Sequence, residues 1–270
     1  MNSPLADIRT ALARRGTFTS EGAHLRVSGL EQCARRISLL RHHAPSNPTN
    51  WQSAYNMEQG NWAEAGMLPL LEYAGWEVRD GQRELQWPRD VPREDAILIG
   101  HIDGIIASPL ASMVKVFPFI PKPRLWENKF LGAFGYKKIV ESGLEWGNPA
   151  YYTQAQLYMY MLREDGEDID EACFHMAVKD AAGIFGNRGK TADDEDFLDP
   201  MYEEIVPYDE AHVMQSLARA ASLYPLLRAG EILEHERRPG DWDCSPRFCP
   251  VYDICQPELV FGPAPKGRRK

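Results

Sequence analysis

Three cysteines near the C-terminus, Cys244, Cys249 and Cys255, are separated by four and then five residues, and a further one, Cys33, stands near the opposite end of the chain. In a reducing compartment such cysteines read as free thiols or metal ligands rather than disulfides. Three thiolates need a fourth ligand to close a tetrahedral or cubane site. Cys173 lies in the apolar run Ala172 to Val178 and reads as core, so Cys33 is the natural fourth ligand. A site closed in this way ties the two ends of the chain together. Closing so long a loop is where a clamp gains most, because the loop-closure entropy is removed from the unfolded chain. Zinc, an iron–sulfur cluster and unrelated free thiols are all compatible with the spacing.

The 270 residues have room for one large domain or two small ones, and with neither an internal repeat nor a linker-like shift in composition, we read 1–270 as a single domain. The segments 28–43 and 244–255 form its cysteine-bearing part. Acidic residues outnumber basic ones 39 to 30, for a net charge of -9. That excludes a surface built wholly to bind polyanions, so any nucleic-acid contact has to come from a local basic patch. Lys137 and Lys138 are candidates for it, and the basic tail Lys266 to Lys270 reads as solvated. No run approaches the length of a membrane span and Met1 to Arg15 lacks an apolar signal core, so a cytoplasmic protein with no membrane partner is expected.

Periodicity outlines the elements. Ser28 to His43 reads as a helix capped by Ser28, with Leu30, Cys33, Ile37 and Leu40 on its buried stripe. A second helix runs from Ser53 to Ala74 and stops near Gly75. Strands at Trp76 to Val78, Glu84 to Trp87, Ala96 to Ile102, Met113 to Phe117 and Arg124 to Phe130 suggest a hairpin-connected meander, with the Pro-rich Phe117 to Pro123 as a loop insertion. Helices at Gly135 to Ser142 and Pro149 to Leu162 follow, then strands at Ala172 to Val178 and Glu203 to Val206, and a long helix from Asp209 to Glu236 kinked at Pro225. This order predicts a mixed α/β fold, one sheet flanked by helices.

Two of these strands carry charge where apolar residues are expected. Asp103 ends the apolar run of Gly100 to Ile102, and a buried carboxylate is costly unless it is paired or bound to a cation. In Leu125-Trp126-Glu127-Asn128-Lys129-Phe130, alternation turns Glu127 and Lys129 to one face and Trp126 to the other, into the core. Two carboxylates that hold a hard cation, beside a lysine that orients or deprotonates water, suit phosphodiester hydrolysis. His101 shares the face of Asp103 and reads as a satisfied core histidine.

With Asp103 at the first acidic position and Glu127-Asn128-Lys129 at the second motif, the chain resembles the RecB-type branch of the PD-(D/E)XK nuclease superfamily over most of its length. The resemblance implies a restriction-endonuclease-like mixed sheet flanked by helices and a Gln-x-x-x-Tyr motif on the following helix. Gln154/Tyr158 and Gln156/Tyr160 both supply it, and Gln and Tyr one turn apart project together. Where many members carry a histidine, Gly60-Asn61-Trp62-Ala63-Glu64 offers Glu64, with Glu58 as its rival, similar to lambda-type phage exonucleases. The implied metal site is Glu64, Asp103, Glu127 and the carbonyl of Asn128 around Mg²⁺ or Mn²⁺. Lys129, Gln154 or Gln156, and Tyr160 join the catalytic group.

The cysteine pattern is similar to the structural four-iron, four-sulfur staple of AddB-type nuclease domains and of the fourth CRISPR-associated protein, with tetrahedral zinc as the alternative. The implied activity is exonuclease action on single-stranded DNA or DNA ends in recombination, repair or CRISPR adaptation. Proteins of those pathways, or a helicase, are possible partners. A catalytically silent DNA-end-binding or assembly module on the same fold is the alternative.

Overall fold

The strand that carries Glu127 and Lys129 is central, with a partner along each edge. In a computed structural model of the chain, the described residues are 8–12, 24–42, 51–107, 122–179, 198–239, 241, 243–246, 248–256 and 260. They divide into two compact units, one of Met1–Ala23, Glu31–Asn56 and Arg219–Lys270, the other of His24–Leu30 and Met57–Ala218.

The second unit holds the strands: β1 (Leu25–Arg26), β2 (Glu77–Arg79), β3 (Glu84–Trp87), β4 (Leu98–His101), β5 (Gly104–Ala107), β6 (Arg124–Leu131), β7 (Glu171–Val178) and β8 (Met201–Pro207). The single sheet expected from the sequence is in fact two, ordered β1-β4-β3 and β2-β5-β6-β7-β8. The split falls at Ile102 and Asp103: before them β4 pairs with β1 and β3, and after them β5 pairs with β2 and β6. Asp103 thus occupies the junction where the chain changes sheets. In the larger sheet β6 runs antiparallel to β5 and parallel to β7. A parallel neighbour requires a crossover, which is made by the helical segment Ala133–Gly147, broken by a kink at Gly143 (φ 75), and by the helix Pro149–Glu164.

The helical elements of the described residues include α1 (Ala34–His42), α2 (Trp51–Tyr73), α3 (Ala133–Gly147, kinked at Gly143), α4 (Pro149–Glu164), α5 (Glu210–Arg228) and α6 (Tyr252–Cys255). The two faces of the larger sheet are covered differently. Trp126 and Cys173 pack with Leu71, Met67 and Leu68 of α2 in a dry cluster, so both residues are core as expected. The other face meets α4, which packs on β6 and β7 and also on β3 of the smaller sheet. Enclosed on so many sides, α4 buries every residue from Tyr152 to Met159, including the polar Thr153, Gln154 and Gln156. Its start is set by Pro149 and by Asn148, whose side chain accepts from the Tyr151 N–H.

In the first unit, α1 begins at Ala34 and not at Ser28. Residues Val27–Gly29, which belong to the second unit, form a 3-10 turn, and Cys33 precedes the helix instead of riding on its stripe. The cap is remote: the Glu236 carboxylate accepts the Ala34 N–H at 2.7 Å and is gripped by Arg219 at 2.7 and 2.8 Å. The last long helix stops at Arg228, well short of Glu236. Gly230 at φ 79 turns the chain back, its N–H bonding Leu227 O and that of Glu231 bonding Leu226 O, a Schellman stop in which glycine carries the left-handed residue. A small core joins Leu39, Val251 and Tyr252 to Cys244 and Cys249. The Met113 to Phe117 strand, most of the Phe117 to Pro123 loop and the Lys266 to Lys270 tail lie outside the described residues. No described helix is long and apolar enough to cross a membrane.

Candidate active site and cysteine centre

Strand pairing brings the charged positions together. Gly104 pairs with Trp126, which sets Asp103 beside the Glu127-Asn128-Lys129 segment. Asp103 Oδ2 accepts the Asn128 N–H at 2.8 Å and a bond from Lys129 Nζ at 3.2 Å. Lys129 Nζ also donates to Glu127 Oε2 at 2.7 Å, and Gln154 Nε2 donates to the same oxygen at 3.0 Å. Glu127 is fully buried, and its other oxygen, Oε1, has no hydrogen-bond partner. A buried acceptor left in this state costs about 1–3 kcal/mol, and more when charged, so the fold carries an energetic debt at this atom.

The electrostatics follow from burial. Desolvation pushes the Glu127 carboxyl up to about 8, with the Lys129 ammonium opposing this and the Asp103 charge adding to it. For Lys129, burial disfavours the ammonium, but the Glu127 and Asp103 carboxylates outweigh burial and raise its pKa. Lys129 therefore stays a cation over the whole neutral range. It also lies 5.8 Å from the centre of the Tyr151 ring and 5.6 Å from that of Phe174, whose faces favour a desolvated cation.

Glu64, half-buried on α2, accepts from Gln82 Nε2 at 2.6 Å. Its carboxyl is pushed up by burial and next by the Asp103 charge, so the two carboxylates feel each other. Glu58, the rival position, contacts Asn61 at 3.5 Å. Gln82 gives no sequence signal. It sits in the left-handed region at φ 59, held by its N–H on Ile102 O, one residue before Asp103. The β2–β3 turn thereby ties Glu64 to the junction.

Of the two Gln-x-x-x-Tyr registers, Gln154 and Tyr158 face this group. Tyr158 lies against Gly100, where an added Cβ would come within 2.5 Å of its ring, and its oxygen accepts the His101 N–H. Gln156, two positions on and across the helix, instead donates to Pro207 O and accepts from Asp209 N, both at 2.8 Å. Tyr160 bonds Trp87. His101 is not core: it is exposed at the end of β4, opposite Glu84 in the ladder and 3.5 Å from its carboxylate. Lys137 and Lys138 are exposed on α3.

Cys33, Cys244, Cys249 and Cys255 line one pocket with Arg36, His235, Arg237 and Asp243. All four are free thiols. The Cys244 thiol is pushed up to about 12, by burial first and then by Cys249, Cys255 and Cys33. His235 Nε2 lies 3.2 Å from Cys255 Sγ.

A different grouping, Cys173, His175 and Glu203, brings three ligand atoms within 4.8 Å of one another. Its hydrogen bonds are already closed. Trp126 donates to His175 Nδ1 at 2.8 Å, which leaves Nε2 as the protonated nitrogen, and Nε2 faces Glu203 at 2.5 Å. A metal at Nε2 would have to displace that proton while Nδ1 remains an acceptor, a state neutral imidazole does not offer.

No protein-family profile and no curated protein matches the chain. Among solved structures, SSO0001 aligns over 96% of this chain and 98% of its own, with a TM-score of 0.53 at 14% identity, so the fold is shared. An alkaline exonuclease from Laribacter hongkongensis (TM-score 0.47, 11% identity, 83% and 93% covered) and a phage-related exonuclease from Haemophilus somnus 129PT (0.45, 13%, 81% and 98%) are also similar.

Proposed function

We propose that this chain is a divalent-metal-dependent deoxyribonuclease that hydrolyses phosphodiester bonds as an exonuclease on single-stranded DNA or DNA ends. The observation that carries the reading is Glu127 Oε1, a buried carboxylate oxygen with no partner, next to Asp103 and Lys129. An unmet acceptor of this kind is what a cation would satisfy.

The donor set fits a hard ion: the carboxylates of Glu64, Asp103 and Glu127, with the carbonyl of Asn128, would hold Mg²⁺ or Mn²⁺. When bound, the ion supplies Lewis-acid polarisation of the phosphate. The rest falls to the chain's own groups. The Lys129 ammonium, permanently charged and held by both carboxylates, orients the attacking water and offsets charge building on the phosphate. Gln154 fixes one oxygen of Glu127 and so directs the other. The Tyr151 and Phe174 rings shield Lys129 from water, which strengthens its field.

The four-cysteine pocket fits a four-iron, four-sulfur cluster, because four sulfur donors converge on a site bordered by cationic side chains. There the cluster would be a structural clamp for its unit. Zinc on the same sulfurs is the alternative, and iron and sulfide analysis decides between them. DNA recombination, repair and CRISPR adaptation are settings such an enzyme suits.

Anaerobically purified protein is incubated with 5′- or 3′-labelled linear DNA and with a closed circle, single- and double-stranded, in Mg²⁺ or Mn²⁺. Degradation of linear DNA from one end with the circle left intact supports the reading. A nicked circle makes it an endonuclease, and stable binding without product in either metal makes it a silent end-binding module.

A further inference from the structure

The cysteine pocket is more cationic than its own contacts require. Arg237, one of its linings, is occupied: it faces Asp243 at 3.4 Å and donates to Glu31 O at 3.3 Å. Arg35 and Arg36 differ, because the Nε atom of each is buried and has no hydrogen-bond partner. Arg36 lines the pocket. Arg35 is anchored through Nη1 on Leu233 O at 3.2 Å, and its guanidinium also reaches the Cys255 sulfur. Both side chains are half-buried, and leaving a buried Nε–H of each unmet is costly; beside four thiols, two such donors call for an anion.

Four thiolates supply one. Around a dicationic four-iron cluster they leave the assembly dianionic, and one-electron reduction makes it trianionic. We infer that Arg35 and Arg36 are the built-in counter-charge of this centre, directing their free Nε–H groups at its sulfurs and favouring its reduced form. The inference rests on the reading that the four cysteines hold an iron–sulfur cluster. It adds that this chain sets the cluster's potential through a pair of arginines at the start of α1. The arrangement has a structural logic: Cys33 stands immediately before α1, and the first turn of that helix carries both Arg35 and Arg36, with Arg35 reaching the Cys255 sulfur and Arg36 lining the pocket. Positive charge and N–H···S bonds both stabilise the more anionic state, so removing either group moves the potential downward.

The test is a redox titration of the full chain, purified anaerobically, followed by electron paramagnetic resonance of the reduced cluster, with iron and acid-labile sulfide counted in each preparation. Arg36→Gln and Arg35→Gln keep a polar side chain of similar reach but lose the charge, and Arg36→Lys keeps the charge but loses the directed fork. The expected result is wild-type iron content in all three. At the wild-type midpoint each Gln variant would be at least tenfold less reduced, a drop of about 59 mV or more for one electron, with Arg36→Lys in between. A folded Gln variant that fails to load iron under conditions that fill the wild type would assign that arginine to cluster assembly and overturn its role in setting the potential. Loaded Gln variants that titrate at the wild-type potential overturn the inference while leaving the cluster in place. A wild type that carries zinc or no metal overturns the cluster reading itself, and the inference with it.

Discussion

Glu127→Gln separates the energetic cost of this site from its chemistry. In the folded protein the Glu127 carboxyl is raised from 4.5 to about 8, chiefly by burial. At ~1.36 kcal/mol per pH unit, that rise corresponds to about 5 kcal/mol. The direction is fixed by proton linkage. The folded state holds this proton more tightly than the unfolded chain, so the stability it contributes is fully present below about pH 4.5 and is lost as the pH rises toward 8. Lys129, whose pKa is raised, stays charged throughout that window and adds no slope of its own. Glutamine cannot ionise, and it can present its amide to the space around Oε1 while Lys129 keeps its bond to Asp103. The assay is urea unfolding of wild type and Glu127→Gln in excess chelator at pH 5, 6, 7 and 8, compared as differences so that other titrations cancel. The stability of wild type relative to the variant should fall by several kcal/mol across the series, approaching about 1.4 kcal/mol per pH unit at its steepest. Mg²⁺ at pH 8 should restore wild type and leave the variant unmoved. Parallel pH profiles, with or without Mg²⁺, would refute the claim that Glu127 is a buried, cation-hungry carboxylate.

Other positions give sharper local tests. Gln154→Ala should lower cleavage by about 10²-fold, whereas Gln156→Ala, which strips Pro207 O and Asp209 N of their partner, should destabilise by about 1–3 kcal/mol and spare the chemistry. Gly100→Ala drives a methyl to 2.5 Å from the buried Tyr158 ring; overpacking of this kind costs about 1–3 kcal/mol, read calorimetrically as a drop of roughly 3–10 °C. Glu236→Gln weakens both the cap of α1 and the grip of Arg219, so a loss of about 1–2 kcal/mol should be accompanied by lower iron occupancy, since Cys33 abuts that cap. Cys173→Ala should leave iron content and cleavage unchanged.

Much of the site was legible because strand alternation is a strict rule. Once Leu125 to Phe130 reads as a strand, Glu127 and Lys129 must share a face, and Trp126 must turn to the core, where it lies. The two glutamines of α4 were not separable, because both are buried: an enclosed helix has no wet face by which to fix a register. What selects Gln154 is the packing of α4 on β6, a tertiary fact. The start of α1 was misplaced for a related reason. Ser28 followed by Glu31 looks like a local capping box, but the carboxylate that caps the helix comes from Glu236, far along the chain. The division into two sheets at Asp103 and the role of Gln82 depend on how the β2–β3 turn meets Ile102, and no local propensity encodes that meeting. Nothing in the sequence marks Arg35 and Arg36; the burial of their Nε atoms is what singles them out.

The central claim is that Glu127 and Lys129 carry out metal-dependent hydrolysis. Its most direct measurement is single-turnover cleavage of end-labelled single-stranded DNA in Mn²⁺ by wild type, Glu127→Gln and Lys129→Met, each shown to be folded and to bind the DNA. Rapid cleavage by wild type, abolished by chelator and at least about a hundredfold slower in both variants, is the predicted result. Equal rates in all three, or wild-type cleavage that survives the chelator, would contradict it.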